Sequence, residues 1–131
     1  MEFALEHLGL PARDPAVLKD WYIEILGGQL LYADGPPPSV FFVRLPGGIM
    51  LEIYQANASL KETSNNKVAG FRHLALRVGS LEAAAVELKQ RGVKFTEDAK
   101  PAAGGGRVLF FADAEGNLLH LVERPGDSVF H

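Results

Sequence analysis

The chain of 131 residues contains no cysteine. This absence excludes disulfide bonds, thiolate metal ligands and a cysteine nucleophile, and it is typical of a cytoplasmic protein. No apolar run approaches the ~20 residues that a membrane-spanning helix needs. The first ten residues, MEFALEHLGL, carry acidic rather than basic side chains, so a cleaved signal peptide is not expected. Any chemistry must therefore come from His, Asp, Glu, Arg and Tyr side chains.

A strong charge of either sign is also missing. The net charge is −3 and charged residues make up 22% of the chain, which gives no basic surface for nucleic acid. Apolar residues make up 47%, an ordinary fraction for a globular protein, and the length suits one domain with one hydrophobic core. We therefore expect residues 1–131 to form a single domain whose partner is a small molecule, rather than nucleic acid or a membrane.

Two segments have the sequence pattern of helices with defined ends. Asp14 is a good N-cap before Pro15, and apolar residues recur at helical spacing until the glycines that begin at Gly27. Ser80 caps the second segment, which Gly92 ends. The spacing predicts one helix in each half of the chain.

The strands around these helices repeat in the same order. Each helix follows a short alternating strand that contains a histidine, Leu5–Leu10 around His7 and Phe71–Val78 around His73. Later in each half, GGIMLEIYQ (47–55) matches EGNLLHLVE (115–123). The remaining predicted strands are Gln29–Ala33, Val40–Leu45, Val93–Glu97 and Val108–Ala112. The pattern predicts an α+β fold of two βαβββ modules in tandem, at about residues 3–55 and 70–125, joined by a polar linker over about 56–69.

Four polar residues share one face of the predicted strands. Side chains alternate along a strand, so His7, Glu52, His73 and His120 fall on the face away from the helices, at equivalent positions of the two halves. If the halves are related by a pseudo-twofold axis, the four side chains converge. Imidazole and carboxylate groups on separate strands suit a divalent metal site. The alternative for any one histidine is a hydrogen-bonded structural role.

Further residues are candidates for binding a substrate. Arg77 lies two residues after His73 and can bind a carboxylate or phosphate, or else extend into solvent. Met50 and Tyr54 flank Glu52 on its own face and are expected to line the pocket unless they belong to the core. Two further pocket residues are expected among Phe41, Phe42, Phe110 and Phe111.

Three segments carry a family resemblance. DPAVLKDWYIEILGGQL, RHLALRVGSLEAAAVELKQRG and FFADAEGNLLHLVERP resemble recurring segments of the glyoxalase / bleomycin resistance / dioxygenase superfamily, also called the vicinal-oxygen-chelate superfamily. The similarity extends over about residues 3–125. It implies two βαβββ modules that form a curved, mostly antiparallel sheet around a metal-binding cleft, usually in a homodimer.

The resemblance also implies a ligand set. Carried over by position, the metal ligands are His7, Glu52, His73 and His120, and the first three match the glyoxalase I pattern. The family usually has glutamate where this chain has His120, and Glu123 is predicted on the opposite face as a solvated carboxylate. Glu52 is then the one carboxylate base, and His120 is either a neutral ligand or a second acid/base. Such a set suits Zn, Ni, Fe(II) or Mn.

The expected function is therefore that of a glyoxalase I-like, metal-dependent lyase or isomerase acting on a small oxygenated substrate. Two alternatives stay open. One is a metal-free protein of the bleomycin-resistance type that binds a drug or metabolite, and the other is an Fe(II) dioxygenase.

Overall fold

The computed structural model describes residues 1–59 and 64–130. The chain divides into two compact units, which comprise residues 1–61 and residues 62–131. The first unit contains β1 (Leu8–Ala12), α1 (Pro15–Leu26), β2 (Gln29–Asp34), β3 (Val40–Arg44) and β4 (Met50–Gln55). The second contains β5 (His73–Arg77), α2 (Leu81–Gln90), β6 (Lys100–Pro101), β7 (Arg107–Ala112) and β8 (Leu118–Glu123). The α+β class and the tandem βαβββ order are confirmed.

Each unit builds a four-stranded mixed sheet with the same topology. The strand order is β1-β4-β3-β2 in the first sheet and β5-β8-β7-β6 in the second. In each, the first strand runs parallel to the fourth, and the remaining pairs are antiparallel. The parallel pair requires a crossover connection, and in each unit it contains the helix.

Capping side chains fix where α1 begins and ends. The carboxylate of Asp14 accepts a hydrogen bond from the backbone N–H of Val17, and Pro15 occupies the first turn. Gly27 ends the helix with a φ of 74°, which a residue without Cβ adopts at no steric cost. Leu18 and Tyr22 are buried against the sheet.

The helix α2 is capped twice at its N-terminus. The hydroxyl of Ser80 accepts a hydrogen bond from the N–H of Ala83. The carboxylate of Glu123, at the end of β8, accepts a second from the N–H of Leu81 at 2.8 Å. Leu81 and Leu88 are buried on the side of α2 that packs on β7 and β8.

Alternation divides each sheet into two faces. Val43, Leu51 and Ile53 are buried on the face that α1 covers, and Leu119 and Leu121 are buried on the face that α2 covers. We call the face turned away from its own helix the distal face of each sheet. Residues two apart along a strand share a face, so Glu52 and His120 both lie on distal faces.

The turn between β7 and β8 fixes the register of the second sheet. The buried carboxylate of Asp113 accepts hydrogen bonds from the N–H groups of Glu115 and Asn117 and from the side-chain amide of Asn117. Gly116 has a φ of 86°, as such a turn requires. Because this turn closes the hairpin, Phe110 pairs directly with His120.

Some predicted strand bounds are wrong. The first strand was expected at Leu5–Leu10, but β1 begins at Leu8, so His7 immediately precedes it. Residues 93–97, all within the described part of the chain, form no strand. Val93 is buried there and Phe95 packs against Phe111, so core packing accounts for their apolar character. Residues 60–63 of the predicted linker lie outside the described residues.

Among the described residues, neither helix has the length and apolar character needed to span a bilayer.

Candidate functional site

Three aromatic rings cluster on the distal face of the second sheet. The ring centroids of His73 and His120 are 4.7 Å apart, and the ring of Phe110 lies 4.9 Å from that of His120 and 5.9 Å from that of His73. The strand register explains the cluster. Phe110 is the direct cross-strand partner of His120, and His73 pairs with Leu118, two residues before His120. Ala75 pairs with His120 on the other side, and its small side chain leaves room for the imidazole.

The three described histidines share one hydrogen-bond arrangement. The Nδ1 atom of His7 lies 2.9 Å from the carboxylate of Glu6, and that of His73 lies 2.6 Å from the side-chain oxygen of Asn66. The Nδ1 atom of His120 lies 3.2 Å from the backbone oxygen of Leu121. Each of these oxygens is an acceptor, so the tautomer with its hydrogen on Nδ1 satisfies the contact and leaves Nε2 as the ring atom available to a metal. Metal-binding histidines in proteins are held in this way.

His120 differs from the other two in its burial. Its side chain is buried, and burial lowers the pKa of His120 below the ordinary value of 6.5 because it disfavours the charged imidazolium. The hydrogen bond to Leu121 opposes this effect, while the neighbouring His73 and Arg124 add to it. His120 is therefore neutral at neutral pH, which is the form that binds a metal or accepts a proton.

The first sheet carries the second pair of candidate ligands. The ring of His7 packs edge-on against Phe42, with centroids 5.9 Å apart. Phe42 is the cross-strand partner of Glu52, and Gly9 is the partner of Glu52 on the other side. His7 and Glu52 therefore flank Phe42 on one distal face, where Glu52 is half-buried. This pair supplies one imidazole and one carboxylate.

The predicted substrate-binding residues fall on distal faces as well. Met50 and Tyr54 are half-buried on the face of Glu52, and the ring of Tyr54 lies against Gly9, where a Cβ would be 3.4 Å from its hydroxyl oxygen. Arg77 pairs with Val122 on the second sheet, two cross-strand pairs along from Ala75 and His120 and so on the same face. Of the four phenylalanines considered as pocket residues, Phe42 and Phe110 lie on distal faces.

The other two phenylalanines lie on the helix-covered faces. The ammonium of Lys19, on α1, is 4.7 Å from the centroid of the Phe41 ring. Phe111 is 5% exposed and packs against Phe95. Neither ring therefore belongs to the candidate site.

Glu123 has a structural role, and its prediction as a solvated carboxylate is wrong. Its two oxygens bind the N–H of Leu81 and, at 3.3 Å, the guanidinium of Arg107. Arg107 in turn donates to Glu82 at 2.7 Å. The carboxylate therefore ties β8 to the start of α2, on the face opposite His120.

The sequence patterns did not identify two residues near the His73–His120 pair. Lys100 is on β6, where no strand was predicted, and its ammonium lies 4.7 Å from the centroid of the Phe110 ring. Asn66 precedes β5 and accepts the hydrogen bond from His73. No periodic pattern marks either residue, although Asn66 lies only seven positions before His73.

The candidate ligands fall into two pairs, His7 with Glu52 in the first unit and His73 with His120 in the second. Within residues 1–59 and 64–130, no group of three or more His, Asp or Glu side chains is placed to hold a metal ion. Each pair, with its imidazole Nε2 lone pairs, has the donor chemistry of a partial metal site.

Comparison with known families and sequences finds relatives along most of the chain. Residues 4–121 match the model of the Glyoxalase/Bleomycin resistance protein/Dioxygenase superfamily. The chain is 27% identical to the uncharacterized protein YwkD of Bacillus subtilis, over 92% of this chain and 97% of that protein. It is 28% identical to mitochondrial methylmalonyl-CoA epimerase of Mus musculus, over 89% of this chain and 71% of the epimerase.

Solved structures show the same fold. The fosfomycin resistance protein FosX from Listeria monocytogenes, a mutant form complexed with Mn(II) and a dihydroxypropylphosphonic acid, superposes with a TM-score of 0.72 at 22% identity, covering 97% of this chain and 94% of that one. TnmS3, an antibiotic binding protein from Streptomyces sp. CB03234, superposes with a TM-score of 0.68 at 24% identity, covering 95% of this chain and 100% of that one.

Proposed function

This chain belongs to the glyoxalase/bleomycin resistance/dioxygenase superfamily, and on that premise we propose that it is a metal-dependent lyase or isomerase acting on a small oxygenated substrate. The observation that carries the proposal is the hydrogen-bond arrangement shared by His7, His73 and His120. Each has its Nδ1 atom within hydrogen-bond distance of an acceptor oxygen, an arrangement that leaves Nε2 available as a metal ligand. Three imidazoles held by a hydrogen bond at Nδ1, together with the carboxylate of Glu52, match the ligands that Zn, Ni, Fe(II) and Mn accept.

In the proposed site the four ligands are His7, Glu52, His73 and His120. A bound divalent ion would supply Lewis-acid polarisation of adjacent substrate oxygens. Glu52 is the carboxylate of the set, and we assign it the movement of a proton at the carbon beside those oxygens. His120, which its burial keeps neutral, serves as a ligand or as the second proton acceptor. Met50, Tyr54 and Arg77 are proposed to hold the substrate.

Two of the known relatives support this proposal. One is the methylmalonyl-CoA epimerase, and the other is FosX, which was solved with Mn(II) and a dihydroxypropylphosphonic acid. The proposed metal is a divalent ion, Zn, Ni, Fe(II) or Mn. That the protein is a cytoplasmic homodimer stays a prediction.

Metal analysis tests the proposal directly. The untagged protein is purified, supplemented in turn with Zn, Ni, Fe(II) and Mn, desalted and analysed by mass spectrometry for bound metal. We expect near-stoichiometric retention that is lost in His7→Ala, His73→Ala and His120→Ala. His131→Ala removes the remaining histidine of the chain and is the matched control. If the wild-type protein retains no metal after supplementation, the metalloenzyme proposal fails.

The second candidate is a metal-free protein that binds a drug or metabolite. The observation that favours it is the aromatic distal face of the first sheet. There the ring centroids of Tyr32 and Phe42 are 6.2 Å apart, and the ring of Tyr54 lies against Gly9. TnmS3, which shares the fold, is an antibiotic binding protein. Absence of metal combined with quenching of the fluorescence of Tyr or Trp by aromatic ligands would favour this function. Retention of Fe(II) alone would instead favour the dioxygenase.

A further inference from the structure

A row of four side chains crosses the distal face of the second sheet. Lys100 of β6 pairs with Val108 of β7, Val108 pairs with Val122 of β8, and Val122 pairs with Arg77 of β5. Cross-strand partners lie on the same face, so the row has a cation at each end and two valines between them. The adjacent row along the strands contains Phe110, His120 and Ala75. The cations therefore border the row that contains His120.

The side chain of Lys100 extends over Phe110, whose ring contacts the imidazole pair. Its ammonium lies 4.7 Å from the centroid of the Phe110 ring, and that ring is 4.9 Å from the ring of His120. The ammonium also forms an ion pair with Glu97 at 3.3 Å, in which the two side chains are 52% and 57% exposed. An exposed ion pair of this kind is weak and competes poorly with another anion.

The charged side chains that the strands place on this face have one sign. Within the described residues of β5–β8, the distal face carries Lys100 and Arg77 and no Asp or Glu, because Glu123 points to the side of α2. Arg124, just after β8, binds the backbone oxygens of Ala103 and Gly105 and contributes a positive charge near His120. The carboxylate of Glu97 lies beside Lys100, but it does so in an exposed and therefore weak ion pair, so the cations that the strands supply still favour an anion on this face.

We propose that Lys100 is a specificity residue which binds an anionic group of the substrate, a carboxylate or a phosphate, beside the His73–His120 pair. Arg77, at the other end of the row, holds the same group or a second one. The inference rests on the proposed function for the identity of the site, and it narrows the substrate from a small oxygenated molecule to an organic anion. The anion site itself consists of side chains of the second unit and does not require a bound metal.

Titration of the metal-free, desalted full-length protein tests the proposal, with inorganic phosphate and malonate as probes and uncharged 1,3-propanediol for comparison. Two-dimensional amide NMR follows the backbone signals of Phe110, His120 and Val122. We expect both anions, or one of them, to give saturable shifts and the diol to give none. Lys100→Gln is expected to weaken anion binding about three- to tenfold, since it removes one charge-assisted contact. Lys100→Arg is expected to restore most of it.

Lys94→Gln is the matched control, because it makes the same change in net charge on an exposed lysine of the same unit. Equal anion affinity in Lys100→Gln and Lys94→Gln would overturn the proposal, and so would the absence of saturation with both anions. The stronger of the two probes identifies whether the site prefers carboxylate or phosphate. Metal retention is measured on the same samples, so that failure of the metal site and failure of the anion site are separate results.

Discussion

The imidazole rings of His73 and His120 lie 4.7 Å apart, with their planes inclined by 44°. The two rings differ in how they are held. His73 is exposed and depends on the side chain of Asn66 for its orientation, whereas His120 is buried and binds the backbone of its own strand. In the proposed site, His73 is therefore oriented by a side chain, that of Asn66, which mutation can remove. His120 is oriented by the backbone of the sheet, which mutation leaves in place.

Removal of the Asn66 side chain should weaken metal binding without removing a ligand. Asn66→Ala eliminates the acceptor for the Nδ1–H of His73, so the ring loses its fixed tautomer and orientation. We expect the affinity for Zn(II), measured by competition with a chromophoric chelator, to fall about tenfold or more. Asn57→Ala changes an exposed asparagine of the first unit and is expected to leave the affinity unchanged. Equal affinities of the two variants would show that Asn66 does not support His73.

Folding stability should depend on pH through His120. The pKa of His120 is lowered in the folded protein, chiefly by burial, so the unfolded chain binds more protons as the pH falls below the ordinary value of 6.5. The stability that the neutral ring contributes is fully present above that value and is lost as the pH falls towards the folded-state pKa. We expect urea denaturation of the metal-free protein to show lower stability in mild acid than at neutral pH.

His120→Gln isolates this effect, because glutamine does not titrate. The difference in free energy of unfolding between the wild-type protein and the variant should shift in favour of the variant as the pH is lowered through the range below 6.5. A difference that does not change with pH would show that His120 does not link protonation to folding.

The sequence predicted the faces of the strands better than their extents. Glu52 and His120 lie on distal faces as expected, because alternation with buried neighbours such as Leu51 and Leu121 is a direct consequence of strand geometry. Val93 and Phe95 misled the strand prediction, since apolar residues that pack into a core look the same as a short buried strand.

The residues that contact the candidate ligands were less predictable than the faces on which those candidates lie. Lys100 belongs to a two-residue strand defined only by its pairing with Val108, and Asn66 reaches His73 from outside any helix or strand. Both are tertiary relationships that leave no periodic pattern. The role of Glu123 was missed for the same reason, because the N–H that it caps lies 42 positions away in the chain.

Glu123 should contribute to stability through the start of α2. Glu123→Ala removes the acceptor for the N–H of Leu81 and a partner of Arg107. We expect the free energy of unfolding to fall by about 1–2 kcal/mol, as for the loss of a helix cap. Glu123→Gln keeps one acceptor oxygen and should cost less. Glu24→Ala, on the exposed side of α1, is the control and should change stability little; a loss as large as that of Glu123→Ala would refute the capping role.

The glycine before β7 should be required for the end of the second sheet. Gly106 has a φ of 90°, and a Cβ there would lie 1.9 Å from the backbone oxygen of Glu123. Gly106→Ala therefore adds a steric conflict with the backbone to the cost of the left-handed conformation. We expect denaturant unfolding to show a loss of about 3 kcal/mol or more.

Gly47→Ala separates these two contributions. Gly47 has a φ of 94° but no atom within 4 Å of the Cβ position, so its substitution carries the conformational cost without the steric one. That cost is about 1–2 kcal/mol. We expect a clearly larger loss of stability for Gly106→Ala than for Gly47→Ala, because the backbone of Glu123 on β8 lies close to Gly106. Gly106 is two residues before Val108, which belongs to the row that holds Lys100 and Arg77. Equal losses would mean that the strand ends can separate enough to admit a methyl group.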